Sequence, residues 1–256
     1  MDNVPRVEIW LNELRSGEIP PIKVAAKFAG LSDTVERNKA FQDLVELLHD
    51  DNPWYRVRAV MALGELGDLR AVEPLIEMLK DEDEEVGGDM IWQLFEILSS
   101  FKDPKAIQPL IEQLHRVEFK DAWSLFAFGD AAISPMIDAL KHTNPYTRWQ
   151  AANWLGNRHD ERAIPALIEA TTDSNERVRN QAIYSLGWIR SSKAIPALEK
   201  LARESEAKVR KCVAYALGNI NDPKVLSILE ELSKDAVPEV RTMAIDAIKA
   251  FNESDE

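Results

Sequence analysis

Three ten-residue segments, VRNQAIYSLG (178–187), VRKCVAYALG (209–218) and VRTMAIDAIK (240–249), begin 31 residues apart. TRWQAANWLG from Thr147 and YRVRAVMALG from Tyr55 extend the series toward the N-terminus. Between those two lie degenerate copies, VGGDMIWQLF from Val86 and VEFKDAWSLF from Val117. The leucine near the end of each copy falls at Leu63, Leu94, Leu125, Leu155, Leu186 and Leu217, then Ile248, at intervals of 30 or 31 residues. A unit of that length cannot bury its apolar face alone. It must stack on its neighbours, which restricts the chain to a repeat architecture.

A second motif fills the space between copies: AVEPLIEMLKD (71–81), AIQPLIEQL (106–114), AIPALIEATTD (163–173) and AIPALEKLA (194–202). Apolar residues in both motifs recur at helical spacing, and neither motif alternates with period two. Proline near the start of the second motif suits a first helical turn, where no hydrogen bond is lost. Asp, Asn, Gly and Ser between motifs are residues that start and stop helices. Each unit therefore reads as helix, tight turn, helix. Residues 4–30 read as two further helices, split at Ser16-Gly17, restarted at Pro20-Pro21 and stopped at Gly30.

These motifs resemble HEAT repeats, in the short form first associated with phycobilisome bilin lyases. Those repeats run Ala-Ile-Pro-Ala-Leu-Ile, then Asp, then Val-Arg-x-x-Ala-x-x-x-Leu-Gly. The expected fold is all-α, a right-handed α-solenoid of about seven helix pairs with an N-terminal helical cap. The expected divisions are a cap at 1–31, the array at 32–250 and a frayed acidic tail at 251–256.

With the first residue of each copy of the first motif as position zero, zero, plus four, plus five and plus eight form the core stripe. Position plus one is Arg56, Arg148, Arg179, Arg210 and Arg241, and six residues earlier stand Asp50, His142, Asp173, Glu204 and Asp235. The resemblance implies that the acid caps the second helix and that the arginines pair with these turn acids along the array. These charges are therefore expected to be a structural ladder. The ladder is interrupted at Gly87 and Glu118, which marks the second and third copies either as drift or as a local site.

Position plus six lies opposite the core stripe, and the resemblance places it in a concave groove. Its occupants include Trp92, Trp123, Asn153, Tyr184 and Tyr215, with Trp188 one turn on at plus ten. Asp89, Glu96, Lys120, Gln150 and Gln181 flank this row. Trp and Tyr offer rigid contact area with a polar handle, and amide side chains can satisfy an extended peptide. The expected function is a non-catalytic scaffold that binds a protein or peptide segment. Asp89, Glu96 and the acidic run at 81–85 favour a basic partner. Trp149, Trp154 and Phe119 fall off this line and are expected in the core between repeats.

The net charge of −13 opposes binding to nucleic acid or an anionic membrane. Residues 144–218 are the exception, with 12 basic and 8 acidic side chains. No apolar stretch reaches the length of a membrane span, and the N-terminus has no leader pattern. The single cysteine, Cys212, is expected to be inert, and a reducing cytoplasm is the expected location. No nucleotide-binding, hydrolase or zinc-protease motif occurs, so no cofactor or metal is expected. Deoxyhypusine hydroxylases share the resemblance, but they hold two irons with His-Glu dipeptides, and none is present. His159 reads as a cap. The alternative function is a bilin-lyase-like or small-ligand chaperone, with Arg58, Lys120 and Arg190 as its available cations. A HEAT-like DNA alkylbase glycosylase, using Trp92 and Glu96, is a remote alternative.

Overall fold

The computed structural model describes residues 6–81, 87–118 and 121–254. Lys120, Phe119, the run 82–85 and the side chain of Asp89 lie outside the described residues. The described residues are helix and loop without a strand, an all-α solenoid of helix pairs. The chain packs as two compact units, Met1–Ala132 and Ile133–Glu256.

The first unit opens with α1 (Arg6–Ser16) and α2 (Pro21–Ala29). Gly17 adopts φ +76° between them, and Pro21 starts α2. Val7, Leu11, Leu14, Val24, Ala25 and Phe28 are buried, and both helices pack on the first pair, α3 (Thr34–Leu47) and α4 (Pro53–Leu66). They thus cover apolar surface that the first pair would otherwise expose. The second pair is α5 (Val72–Met78) and α6 (Gly87–Phe101), and the third begins with α7 (Ile107–Glu112).

The partner of α7 departs from expectation. Residues Asp121–Ala132 wind as 3-10 helix, interrupted at Gly129 with φ 58° and ψ −133°. Three residues per turn align side chains at i and i+3. Ala122, Leu125 and Phe128 accordingly form the buried edge, while Trp123 and Phe126 stack outside it at 5.4 Å.

The second unit contains α8 (Ile133–Ala139) with α9 (Pro145–Arg158), α10 (Ile164–Ala170) with α11 (Glu176–Trp188), and α12 (Ile195–Leu201) with α13 (Ala207–Gly218). It ends with α14 (Lys224–Leu232) and α15 (Pro238–Ser254). The second helices stack in order, α9 on α11, α11 on α13 and α13 on α15. The glycine at plus nine permits this stacking. A Cβ on Gly156 would lie 2.6 Å from Ser185 Oγ, and one on Gly187 would lie 2.6 Å from Ala216 Cα. Helix α15 continues to Ser254 and buries Phe251, so the first residues of the expected frayed tail are helical.

The arginines of the expected ladder make the following contacts, and two expectations are corrected. Arg148 donates to both carboxylate oxygens of Asp173, at 2.7 and 2.8 Å, and Arg210 does the same to Asp235, at 2.6 and 2.9 Å. Arg56 reaches Asp81 at 2.7 Å. Each arginine also donates through Nη1 to carbonyls of its own turn, as Arg241 does to Asp235 and Ala236 and Arg56 does to Asp50. The first correction concerns Glu204, which contributes its main-chain carbonyl to Arg210 while its side chain is exposed. The acid facing Arg179 is Glu206, at 3.7 Å, because it stands at the helix N-cap position nearer the guanidinium.

The second correction concerns capping. Asp50, Asp173 and Asp235 each accept the amide two residues on, within the turn. Helices α4, α9 and α11 are capped by Asn52, Asn144 and Asn175, whose side chains accept the second helical amide.

The interruption at Gly87 is bridged. Arg116, one position before the third copy, donates to the carbonyls of Leu79 and Asp81 at 2.8 and 2.7 Å. It supplies, from the neighbouring pair, the guanidinium that a glycine cannot.

Candidate binding surfaces

In the second unit, α11 is buried along Val178, Ala182, Ile183 and Leu186, so Tyr184 at plus six emerges on its far side, half-buried. Tyr215 occupies the same position on α13 and is 37% exposed. The two rings meet edge to face at 5.2 Å. Trp188, one turn beyond Tyr184, lies nearly parallel to it at 6.4 Å, and its indole N–H points to the Tyr215 hydroxyl at 3.5 Å. His159 Nδ1 lies 2.5 Å from the Trp188 carbonyl, which can only accept, so Nδ1 carries the proton there. His159 itself takes the left-handed C-cap position of α9, as a cap residue should.

These three rings, with Lys211 and Met243, line a hollow of about 200 Å³. Lys211 carries no signal in the repeat pattern. It stands at plus two, where neighbouring copies carry Trp149 and Asn180, and only the packing of α13 beside α11 brings it to the rings. Burial, then a hydrogen bond with the Cys212 thiol, pushes the Tyr184 hydroxyl well above the usual tyrosine value. Burial likewise raises Cys212, which is 2% exposed and hence a poor nucleophile.

The amide side chains expected in this row (Asn153) and beside it (Gln150 and Gln181) are not surface groups. Gln150, Asn153 and Gln181 are all buried. Plus three faces the next helix of the stack, and the glycine at plus nine draws that helix close. Gln181 donates to Ser185, whose hydroxyl donates to the Ala152 carbonyl at 2.7 Å. The Asn153 carboxamide oxygen accepts from Asn157 at 3.0 Å. Of these bonds, that from Ser185 to Ala152 links α11 to α9, and the other two lie within one helix. Trp154 is in the core as expected, but Trp149 is only half-buried and stacks on Tyr146 at 5.5 Å.

In the first unit, Trp92 on α6 and Trp123 on the 3-10 segment are 45% and 46% exposed, and these two elements pack together. Glu96 is exposed one turn after Trp92. Arg58 is not a groove cation. Its guanidinium donates to the carbonyls of Leu14 and Arg15 and closes the C-terminal end of α1. A separate hollow of about 340 Å³ between α1 and α3 mixes Glu8, Glu36, Asp43 and Asp50 with Arg15 and Lys39. Among the described residues no group of three His, Cys, Asp or Glu is placed to hold a metal ion. None of the described helices is long and apolar enough to cross a membrane.

The chain is similar in structure to human deoxyhypusine hydroxylase in complex with glycerol, at 20% identity and TM-score 0.44 over 96% of each chain. It is similar to YibA of Escherichia coli at 19% identity and TM-score 0.47, over 97% of this chain and 98% of that one. A designed armadillo repeat protein in complex with the peptide (KR)4 matches at 22% identity and TM-score 0.42, over 89% and 98%. Among curated proteins no match is found. The family profile for HEAT repeats matches residues 41–121, 133–211 and 193–249. With the repeating helix pairs and their arginine–aspartate ladder, that match over most of the length means that the chain belongs to the HEAT-repeat family.

Proposed function

We propose that the protein is a non-catalytic, cytoplasmic scaffold that holds a segment of a partner protein on its plus-six aromatic residues. In this reading residues 1–31 cap an array running over 32–250. The observation that carries the proposal is the cluster of Tyr184, Trp188 and Tyr215 around a hollow that also contains Lys211 and Met243. Three aromatic side chains remain accessible there although most of the residues around them on α11 and α13 are buried, and such side chains are typical anchors of protein interfaces. Trp92 and Trp123 offer a second exposed aromatic pair in the first unit, beside the acidic Glu96, where a basic segment is favoured. A tetrapyrrole is disfavoured as ligand. The hollow is smaller than the ~300 Å³ at which small-molecule sites usually begin, and Arg58 is engaged with α1.

The test is affinity capture from source cells with the wild type and a Trp188→Ala/Tyr215→Ala variant of matched helicity and melting temperature. The expected result is a protein retained by the wild type and lost by the variant. Equal retention by both, or no specific retention, removes the assignment to this surface.

A further inference from the structure

A second aromatic surface of different character lies at the N-terminal ends of α9 and α11. Pro145, Tyr146 and Trp149 occupy the first turns of α9, and Asn175 and Arg177 occupy the start of α11. Together they line a hollow of about 320 Å³. The Tyr146 and Trp149 rings stack at 5.5 Å with 27° between their planes, and Pro145 continues this flat apolar shelf. Within the second unit the stacked pair is confined to α9. The corresponding positions carry Lys208 and Lys211 on α13 and Glu239 and Thr242 on α15.

Charge identifies the occupant. Around this edge Asp173 is matched by Arg148, Glu176 by Lys208, and Arg179 by Glu206. Arg177 is exposed, and among the described residues no carboxylate lies within ion-pair distance of it. The positive ends of two helix dipoles add to its field. The site is therefore a flat aromatic shelf with one unmatched guanidinium beside it, in the block 144–218, which carries 12 basic and 8 acidic side chains.

We propose that this shelf docks an extended, proline-containing acidic segment of a partner protein, its proline on the Tyr146 and Trp149 rings and its carboxylate on Arg177. Proline-rich segments are already extended and lose little entropy on binding, and they are recognised by aromatic shelves of this kind. A guanidinium fork binds a carboxylate through two parallel hydrogen bonds, which fixes the direction of the chain. The shelf is open on one side, which suits a crossing chain better than an enclosed small molecule.

The test is selection of a random dodecapeptide display library on the full-length protein, followed by fluorescence anisotropy of the enriched peptides. Enriched peptides should carry Asp or Glu near proline. Their affinity should fall by about tenfold or more for Arg177→Glu and for Tyr146→Ala, survive in Arg177→Lys, and weaken with salt. Both side chains are exposed and the Asn144 and Asn175 caps use only backbone amides, so each variant should melt as the wild type does. Four outcomes overturn the proposal: no enrichment, enriched peptides without a carboxylate, equal binding to Arg177→Glu, or binding abolished by Tyr215→Ala but not by Tyr146→Ala. Competition by a free aromatic carboxylic acid as effectively as by the peptide also overturns it, in favour of a small-molecule site.

Discussion

Arg148 and Asp173, 25 positions apart in the chain, are joined by two hydrogen bonds, Nε to Oδ2 at 2.7 Å and Nη2 to Oδ1 at 2.8 Å. The same guanidinium donates through Nη1 to the carbonyls of His142 and Thr143. One side chain therefore fastens its own turn and the next. Arg210 repeats the arrangement with Asp235, Glu204 and Ser205. In a stack whose stability is set largely by neighbouring units, these residues couple one unit to the next.

Asp173→Asn should destabilise the protein by about 1–3 kcal/mol, since a charged two-point hydrogen bond is lost from a largely buried position. Its pH dependence follows from the Arg148 hydrogen bond, which holds the Asp173 carboxyl below its ordinary 3.8, as Arg210 does for Asp235. The unfolded chain takes up these protons at higher pH than the folded one. The stabilisation is complete above the unfolded value and is lost as pH falls through the lower folded value. Denaturant titrations from about pH 6 to pH 2 should thus show the gap between wild type and Asp173→Asn/Asp235→Asn closing below about pH 4. A gap that stays constant through this window would refute the assignment.

Two glycine substitutions should act in opposite directions. Gly187→Ala brings a methyl group to 2.6 Å from Ala216 Cα and 2.8 Å from its carbonyl oxygen. Backbone cannot rotate aside, so about 1–3 kcal/mol of stability should be lost. Gly88→Ala, in the first turn of α6, meets nothing within 4 Å and should add about 0.5–1 kcal/mol. Thermal melts of the two variants should move apart. Similar shifts for both would mean that α11 and α13 are not so closely apposed.

Arg116→Ala should lower stability by about 1–2 kcal/mol through loss of its bonds to the Leu79 and Asp81 carbonyls. Calorimetry beside Arg56→Ala provides the comparison. A neutral Arg116→Ala would show that the turn after α5 holds without a bridging guanidinium.

Cys212 should resist alkylation in the native protein. Its thiol is buried and its ionisation is suppressed by burial, so iodoacetamide should react at least about tenfold more slowly than in denaturant. Rapid native labelling would require that α13 open readily beside α11.

The sequence made the helix pairs legible because each rests on local signals. Gly17 and Pro21 marked the break between α1 and α2, and the repeat register identified the arginines of the ladder before any partner was visible. It also brought Tyr184 and Tyr215 to one face, since 3.6 residues per turn sets the angle of plus six from the core stripe.

What the sequence concealed are relations across the stack. Arg116 reads as an ordinary charge until its neighbour lacks a side chain at Gly87. Arg58 reads as a surface cation until the end of α1 lies against it. Gln150 and Gln181 read as polar surface until close helix approach buries them, and Trp123 follows the helical count until its segment winds as 3-10 helix. Local periodicity determined which residues share a face of one helix. Which of those faces meets a neighbour, and how closely, depended on side-chain volumes and hydrogen bonds contributed by residues about 30 positions away, and only the tertiary structure brought those residues together.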